Sequence, residues 1–360
     1  MHDGTALRPP GIEPSPLRHK NNFDLLRFVF AFTVLLFHGY ALSREAALDV
    51  FARFLSAELA IQGFFVVSGY LVFMSLENSR SVADYLGKRV RRIYPAYFAV
   101  VAGFALLGAL LTTAPAAQYF STDLVRYLVA NLVFLNFLEP NLPGVFRANP
   151  MSEVNGALWT LKIEVMFYAA VPVIARLAVR VGRGRTLLAL YLLAAAYVVG
   201  MDWLYRRTGN GLYLVLQRQL PGQLGFFLAG AACYYYADAV AARWRWIVPS
   251  AALAIVAAQV WWPLAVFVLP AAVGALVVYA ALGVRHLGNF GKYGDLSYGI
   301  YILHFPVIQW LVSLGLYRES PFGALAATIV VVLALAFASW HLVEKPFLRK
   351  TSHYVVAEQR

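Results

Sequence analysis

The sequence predicts an all-α protein that crosses a membrane about ten times, with both termini in the cytoplasm. Of its 360 residues, 61% are apolar and only 13% are charged, whereas soluble domains have roughly 45–50% and about 25%. The mean hydropathy is +0.65. So few charges cannot cover a soluble surface, which excludes a soluble globule and a nucleic-acid-binding protein. Apolar runs of the length that crosses a bilayer, about 20 residues, recur along the whole chain.

Ten apolar runs are predicted to span the bilayer. An eleventh run, Leu124–Leu138, has about 15 residues, a length more typical of interfacial or re-entrant segments. Residues 1–22 are predicted to form a flexible cytoplasmic tail, 23–347 the membrane domain, and 348–360 a second cytoplasmic tail. The ten predicted spans are Leu25–Leu42, Phe54–Leu76, Ile93–Leu111, Ala157–Leu177, Leu187–Leu204, Leu220–Tyr236, Trp246–Trp262, Leu264–Leu282, Leu296–Leu316 and Phe322–Leu342.

The distribution of Lys and Arg decides whether the eleventh run crosses. Without a crossing there, 20 basic loop residues fall on the cytoplasmic side and 8 on the other. With a crossing, every later loop changes side and the division becomes 13 against 15. Cytoplasmic loops carry an excess of Lys and Arg. The sequence therefore predicts ten crossings, with Thr112–Gly156 as the largest extracytoplasmic segment.

The net charge and the cysteine content give little indication of the protein's function. The formal net charge of +12 is explained mainly by basic cytoplasmic loops, although a few of these residues remain candidates for binding phosphate. Cys233 is the single cysteine, so an intrachain disulfide is excluded, and no Cys/His spacing typical of a metal site occurs. No metal is predicted.

Two ionisable residues share one face of the first span. Arg27 and His38 are eleven residues apart, about 20° past three full turns and roughly 16.5 Å along a helix. Charged groups at membrane depth are expensive and are functional candidates by default. Taken alone, Arg27 could reach lipid phosphates and His38 could be an interfacial histidine. Their shared face favours a common polar cavity.

Further polar residues fall within other predicted spans. Glu164 shares a face with Thr160 but not with Lys162, so it needs a proton or a partner on another helix. An ion pair that locks the bundle is the alternative to a functional role. Ser297, Tyr301 and His304 lie on one face at i, i+4 and i+7, either as a hydrogen-bonded helix interface or as a proton-handling surface.

Two further motifs lie in the second predicted span and just before the third. Four cations occupy positions 88, 89, 91 and 92, at the predicted helix start, where guanidinium forks and free backbone N–H groups suit a phosphate-rich ligand. Topology alone also requires positive charge there. The run Gly63–Tyr70 places small residues where helices approach closely, with cavity lining as the alternative.

Together these segments resemble the acyltransferase 3 family of bacterial integral-membrane O-acyltransferases. Six motifs occur in the family's order between residues 24 and 347, and Thr160 stands where the family more often has Ser. The matching motifs are Arg27-x10-His38, Gly63-Phe64-Phe65-x-x-Ser68-Gly69, Arg89-x-x-Arg92 with Tyr94-Pro95, Leu158-Trp159-Thr160-Leu161-x-x-Glu164-x-x-Phe167-Tyr168, Ser297-Tyr298-x-x-Tyr301-x-x-His304-x-Pro306 and Glu344-Lys345-Pro346.

The resemblance implies transfer of an acyl group, usually acetyl, from cytoplasmic acyl-CoA to a hydroxyl of a glycan, a glycolipid or a small molecule. His38 is suited to act as general base, Arg27 to position the donor or stabilise the thioester oxyanion, and Glu164 to orient His38 or share its proton. The residues expected to bind the donor are Arg89, Arg91, Arg92 and Tyr94. Those expected to support the catalytic groups are Ser68, Ser297, Tyr301 and His304.

A transporter or flippase of a polysaccharide precursor is the alternative function, because ten helices with buried ionisable residues fit it as well. Inverted repeats with broken helices would favour it, and none is detectable in the sequence. The expected location is the bacterial cytoplasmic membrane. The sequence leaves open the acceptor, the acyl chain length, direct transfer against an acyl-enzyme, and the oligomeric state, with a homodimer as one alternative.

Overall fold

The computed structural model describes residues 21–350, 352, 354 and 355, and within them it is helical with no strand. The predicted all-α membrane fold is therefore confirmed. Residues 1–20 of the predicted N-terminal tail, and most of the residues after Lys350, lie outside the described residues. The ten longest helices, α1 to α10, are Phe23–Ser43, Ala57–Glu77, Val82–Leu111, Trp159–Val181, Arg183–Thr208, Leu220–Tyr235, Trp244–Ala258, Trp262–Leu282, Leu296–Ser313 and Pro321–Ser339.

Shorter helical segments connect the long helices. Between α1 and α2 lie two of them, and α10 continues into one π-helical turn followed by a 3₁₀ turn. They are Ala46–Leu48, Asp49–Phe54, Ala116–Tyr119, Thr122–Leu132, Gly156–Leu158, Leu212–Gln217, Ala237–Ala241, Leu316–Glu319, Trp340–Glu344 and Lys345–Phe347.

Each predicted span corresponds to one of the ten long helices, but only eight of these are long and apolar enough to cross a membrane. The two exceptions are α6, with 16 residues, and α7, with 15. At 1.5 Å per residue they are about 24 and 22 Å long, shorter than the ~30 Å hydrocarbon core. A total of ten crossings therefore stays a prediction.

The eleventh apolar run does not form a spanning helix, as predicted. Its helix, Thr122–Leu132, has 11 residues, about 16.5 Å. Phe134 then adopts a left-handed backbone conformation with φ 63°, which ends the helix. Its ring stacks on Tyr97 with ring centroids 4.3 Å apart, and the chain from residue 133 to 155 continues without regular structure.

The described chain divides into two compact units, of which the first comprises residues 21–26, 61–87 and 163–288. Its core is built around α6, which is buried along most of its length. A Cβ on Gly69 would overlap the carbonyl of Phe227, and one on Gly230 would overlap that of Val66. Glycine at these positions lets the two backbones come into contact. The packing interpretation of Gly69 is therefore the one that the structure supports.

The start of the described chain belongs to this unit. Asn22 is buried, its backbone N–H donates to the carbonyl of Ala281, and its amide donates to the carbonyl of Ala280. Leu287 N–H donates back to the Asn22 side chain. At Asn22, which was assigned to the flexible tail, the chain is therefore already bonded to the end of α8.

The second unit comprises residues 27–60, 88–162 and, among the described residues, those from 289 onward. Its central helix is α9, in which fourteen of the eighteen residues are buried. Gly299 lets α10 approach, since a Cβ there would lie 2.9 Å from Ala336. An apolar helix that is buried all round must satisfy its polar side chains internally, and α9 supplies several of the residues of the candidate site.

The orientation of the chain in the membrane can be tested by cysteine labelling. With Cys233 replaced by Ala, we expect Asn141→Cys and Ala148→Cys, both at exposed positions, to react with an impermeant maleimide added outside intact cells. The reason is that the excess of Lys and Arg places residues 112–156 outside. Ala83→Cys, an exposed position in the predicted cytoplasmic segment, is the control and should react only after permeabilisation. The opposite pattern would show that the charge count had assigned the wrong side.

Candidate active site

Two histidines from different helices meet in the second unit. His304 Nε2 of α9 lies 3.1 Å from His38 Nδ1 of α1, and the two ring centroids are 5.0 Å apart. Each Nδ1 also contacts the carbonyl four residues earlier in its own helix, Val34 at 3.0 Å for His38 and Ile300 at 3.2 Å for His304. His304 has no exposed surface, whereas His38 is partly exposed. Of the two histidines, only His38 therefore has accessible surface.

Aromatic and hydroxyl groups surround the histidine pair. The ring of Phe305 lies edge-on to His38 at 5.7 Å. Tyr301, one turn before His304, shares a 2.7 Å hydrogen bond with the hydroxyl of Thr160. This bond fastens α9 to the start of α4, and it uses the hydroxyl that Thr160 retains in place of Ser.

The segment before α4 is hydrogen-bonded to α9. Gln309 is completely buried, and its amide donates to the carbonyls of Met151 and Glu153 at 2.7 and 2.8 Å. Asn155 donates to the carbonyl of Ile302 at 2.8 Å. Burial raises the pKa of the Glu153 carboxyl. These bonds hold the irregular segment 139–155 against α9.

A second polar group in this unit is a buried cluster of four charges. Asp295 Oδ2 lies 2.5 Å from both Arg27 Nη1 and Arg92 Nη2, and Arg92 also pairs with Glu344. Asp295, Arg92 and Glu344 are each less than 10% exposed. Two guanidinium groups and two carboxylates make the cluster neutral, which is the condition under which charges can be buried.

Local structure explains how the two carboxylates reach the cluster. Asp295 is the N-cap of α9, where its Oδ1 accepts from Ser297 N–H at 3.2 Å and from Ser297 Oγ at 2.5 Å. Glu344 ends the π-helical turn after α10 and accepts from Ser339 at 2.9 Å. Aromatic rings cover Arg92 in a cation–π arrangement, at 4.6 Å for Tyr354 and 5.1 Å for Tyr298.

The four cations at positions 88, 89, 91 and 92 do not lie at a helix start, so the prediction that they do was wrong. Helix α3 begins at Val82 instead of Ile93, so the backbone N–H groups of residues 88–92 lie inside the helix, where they bond to carbonyls. Arg89 is partly exposed and Arg91 is exposed. Tyr94 is 38% exposed and its hydroxyl donates to the carbonyl of Leu132 at 3.4 Å. Arg92 differs from these residues in being inside the ion cluster.

Glu164 has its partners in the first unit. Its Oε1 accepts from Ser68 at 3.4 Å and from Tyr168, one turn later on α4, at 2.5 Å. Both donors are neutral hydroxyls. Ser68 therefore lies beside Glu164, while a catalytic role of Glu164 and its predicted interaction with His38 stay predictions.

Two carboxylates of the ion cluster, Asp295 and Glu344, were not among the predicted site residues. Asp295 immediately precedes an apolar helix, which is an N-cap signal, and it lies just outside the predicted span Leu296–Leu316. Glu344 was noted only as part of a motif. No group of three or more His, Cys, Asp or Glu side chains suited to a metal occurs in the part of the chain that the structure describes.

The fold and this site define a class: an all-α membrane protein that contains a histidine pair and a neutral ion cluster in its second unit. Comparison with known proteins identifies the family. The acyltransferase 3 family of acyltransferase domains matches residues 20–341, and the chain belongs to this family. No solved structure is significantly similar to it.

The similarity of this chain to individual curated proteins is consistent with its membership of this family. The chain is 29% identical to an O-acetyl transferase of Shigella phage Sf6 over 93% of this chain and 98% of the relative. It is 29% identical to nodulation protein 10 of Rhizobium leguminosarum bv. viciae, over 92% and 94% of the two chains. It is 28% identical to the exopolysaccharide production protein ExoZ of Rhizobium meliloti, over 80% and 88%. The protein is a multi-pass membrane acyltransferase of the O-acetyltransferase type.

Proposed function

We propose that this enzyme transfers an acetyl group from acetyl-CoA to a hydroxyl of a cell-surface or exported glycan, in the bacterial cytoplasmic membrane. The observation that most supports the proposal is the histidine pair, in which the partly exposed His38 contacts the completely buried His304. A histidine held in this way is suited to general-base catalysis near neutral pH.

The proposed reaction is a single proton-coupled transfer. His38 takes the proton from the acceptor hydroxyl as its oxygen attacks the thioester carbonyl. The C–S bond then breaks, and the leaving thiolate takes the proton from His38. An acyl-enzyme would need a nucleophile on the protein, and direct transfer needs none beyond the acceptor, so direct transfer is the simpler proposal.

The proposed acceptor follows from the relatives. One of them is named for exopolysaccharide production, and by analogy we propose a sugar hydroxyl of a polysaccharide or glycolipid as the acceptor. The segment 139–155, which is bonded to α9 near His304, is the proposed place where the acceptor is held.

The proposed donor site uses the basic residues of α3 that are accessible. Arg89 and Arg91 are at least partly exposed, and guanidinium groups bind phosphates through two parallel hydrogen bonds. Tyr94, on the same helix, is proposed to contact the donor. For Arg92, we propose an indirect role, because a phosphate would have to displace Asp295 or Glu344 from it.

Arg27 and Glu164 keep their predicted roles as proposals. Arg27 lies on the face of α1 that also bears His38, and its ion pair with Asp295 holds the guanidinium in place. We propose that it orients the donor. Glu164, hydrogen-bonded by Ser68 and Tyr168, is proposed to support the proton transfer.

The donor proposal is tested by substitution of Arg89. We expect Arg89→Ala to raise the KM for acetyl-CoA about 10-fold or more while changing kcat little, because a phosphate contact made before and during the reaction contributes uniform binding. Arg89→Lys should recover only part of the loss, since an ammonium cannot reproduce the guanidinium fork. The measurement is transfer of labelled acetyl from acetyl-CoA to extracted glycan in membrane vesicles.

Arg126→Ala is the matched control, because Arg126 is an exposed arginine paired only loosely with Asp123 at 3.4 Å on the predicted opposite side. It should leave the KM for the donor unchanged. If both substitutions changed the KM for acetyl-CoA equally, the proposal that Arg89 binds the donor would be contradicted. If wild-type vesicles consumed no acetyl-CoA and instead moved a glycan lipid across the bilayer, the transporter alternative would replace the proposal.

A further inference from the structure

The hydrogen bonds of the two histidines determine which ring nitrogens bear protons. His304 Nδ1 faces the carbonyl of Ile300, and a carbonyl only accepts, so Nδ1 of His304 must be the protonated nitrogen. A neutral imidazole has one N–H, which leaves His304 Nε2 as an acceptor. This nitrogen faces His38.

The same reasoning applies to His38. Its Nδ1 lies 3.0 Å from the carbonyl of Val34 and 3.1 Å from His304 Nε2. Both of these atoms are acceptors, so His38 Nδ1 must donate and bear the proton. His38 Nε2 is then unprotonated, and it makes no hydrogen bond with any residue in the described part of the chain.

We infer that His304 is a positioning residue, which fixes the tautomer and the ring orientation of His38 so that Nε2 of His38 is the basic atom. The inference rests on the proposed function, in which His38 is the general base. It deepens that proposal by naming the reacting nitrogen and the residue that selects it. An orienting partner for a catalytic histidine acts in this way in hydrolase triads, where a carboxylate occupies the position.

Here the orienting partner is a neutral imidazole in a helix, and this has a consequence during the reaction. When His38 Nε2 takes the proton of the acceptor hydroxyl, Nδ1 keeps its own proton and donates it to His304 Nε2 and Val34 O. The imidazolium is thus stabilised by two acceptors without a proton leaving the pair. The Nε2 proton passes to the departing thiolate, which restores the starting state.

The burial of the two rings supports this division of roles. His304 is completely buried and packs beside Tyr301, with ring centroids 5.8 Å apart. Tyr301 is in turn bonded to Thr160. The orienting ring is thus immobilised by α9 and α4, while the reacting ring keeps an accessible edge.

The inference is tested by two substitutions of His304. His304→Phe keeps a planar ring but removes the acceptor, and we expect kcat to fall about 10²-fold, the lower part of the range for a general base, with little change in the KM for acetyl-CoA. His304→Gln places an amide oxygen close to the position of Nε2 and should recover at least 10-fold of that loss. His341→Gln, a change on the turn after α10, is the control and should act like the wild type.

A second measurement does not depend on activity. Nitrogen-15 spectra of the histidine side chains in lipid, assigned with His38→Phe, should show wild-type His38 protonated at Nδ1 and bare at Nε2. In His304→Phe the Nε2–H form should become populated. A wild-type His38 protonated at Nε2, or equal kcat for His304→Phe and His304→Gln in folded protein, would overturn the inference. Absence of acetyl transfer by the wild type would instead overturn the proposed function alone, because the spectra would still report the tautomer.

Discussion

His38→Ala is expected to reduce acetyl transfer by about 10²–10⁴-fold, the contribution of a positioned general base. The loss should appear in kcat, because the proton is transferred only in the transition state. Binding of the donor should remain close to that of the wild type, since the proposed phosphate contacts belong to α3. The measurement is a single-turnover transfer assay, with donor affinity determined by competition.

The control for this variant is its folding. His38 is bonded only to one buried imidazole and one carbonyl among the described residues, so the truncated protein should elute as the same species from size exclusion and keep its thermal midpoint within a few degrees. Transfer at the wild-type rate would show that His38 is not the base. His304 could not replace it, because His304 has no exposed surface.

The second large effect is expected on stability, from the buried ion cluster. Arg92→Met leaves Glu344 buried without its guanidinium partner, and loss of one member of a buried pair typically costs about 3–5 kcal/mol. Glu344→Met leaves an excess positive charge and should be similarly destabilising. The double variant removes both charges, and the remaining pair of Arg27 and Asp295 is still neutral. It should therefore recover most of the thermal midpoint that each single variant loses.

The measurement is the midpoint of thermal aggregation in detergent, followed by size exclusion, for the two single variants and the double variant. Arg126→Met is the matched control, because its pair with Asp123 is on the surface, with both side chains at least 60% exposed, and such pairs contribute little to stability. If the double variant were as unstable as the sum of the single variants, the two charges would be acting independently. The cluster would then not be a mutually neutralising unit.

Much of the fold could be predicted from the sequence because hydrophobic length is a one-dimensional property. Each of the ten apolar runs became a helix, and the 15-residue run at Leu124–Leu138 did not become a span. The boundaries were less accurate. Helix α3 extends eleven residues before Ile93, since a charged helical turn beyond the apolar run is stable but cannot be distinguished from a loop by hydropathy.

The candidate site was predicted residue by residue but not as contacts. Helical periodicity places Arg27 and His38 on one face, and it places Tyr301 and His304 one turn apart. It contains no information on which face of α1 meets which face of α9. Packing between helices decides that His304 contacts His38 and that Tyr301 contacts Thr160. The third polar residue on this face of α9, Ser297, instead bonds to Asp295 at the start of its own helix.

The sequence by itself determined that the protein is a polytopic membrane acyltransferase, because composition, apolar run length and six ordered motifs are all readable along the chain. Only the tertiary structure decided which ionisable groups are reactive and which are structural. Arg89 and Arg92 belong to one motif, yet Arg89 is partly exposed while Arg92 is neutralised by Asp295 and Glu344. The physical reason is that the cost of a buried charge depends on its neighbours in space, and those neighbours lie more than 200 residues away in the sequence.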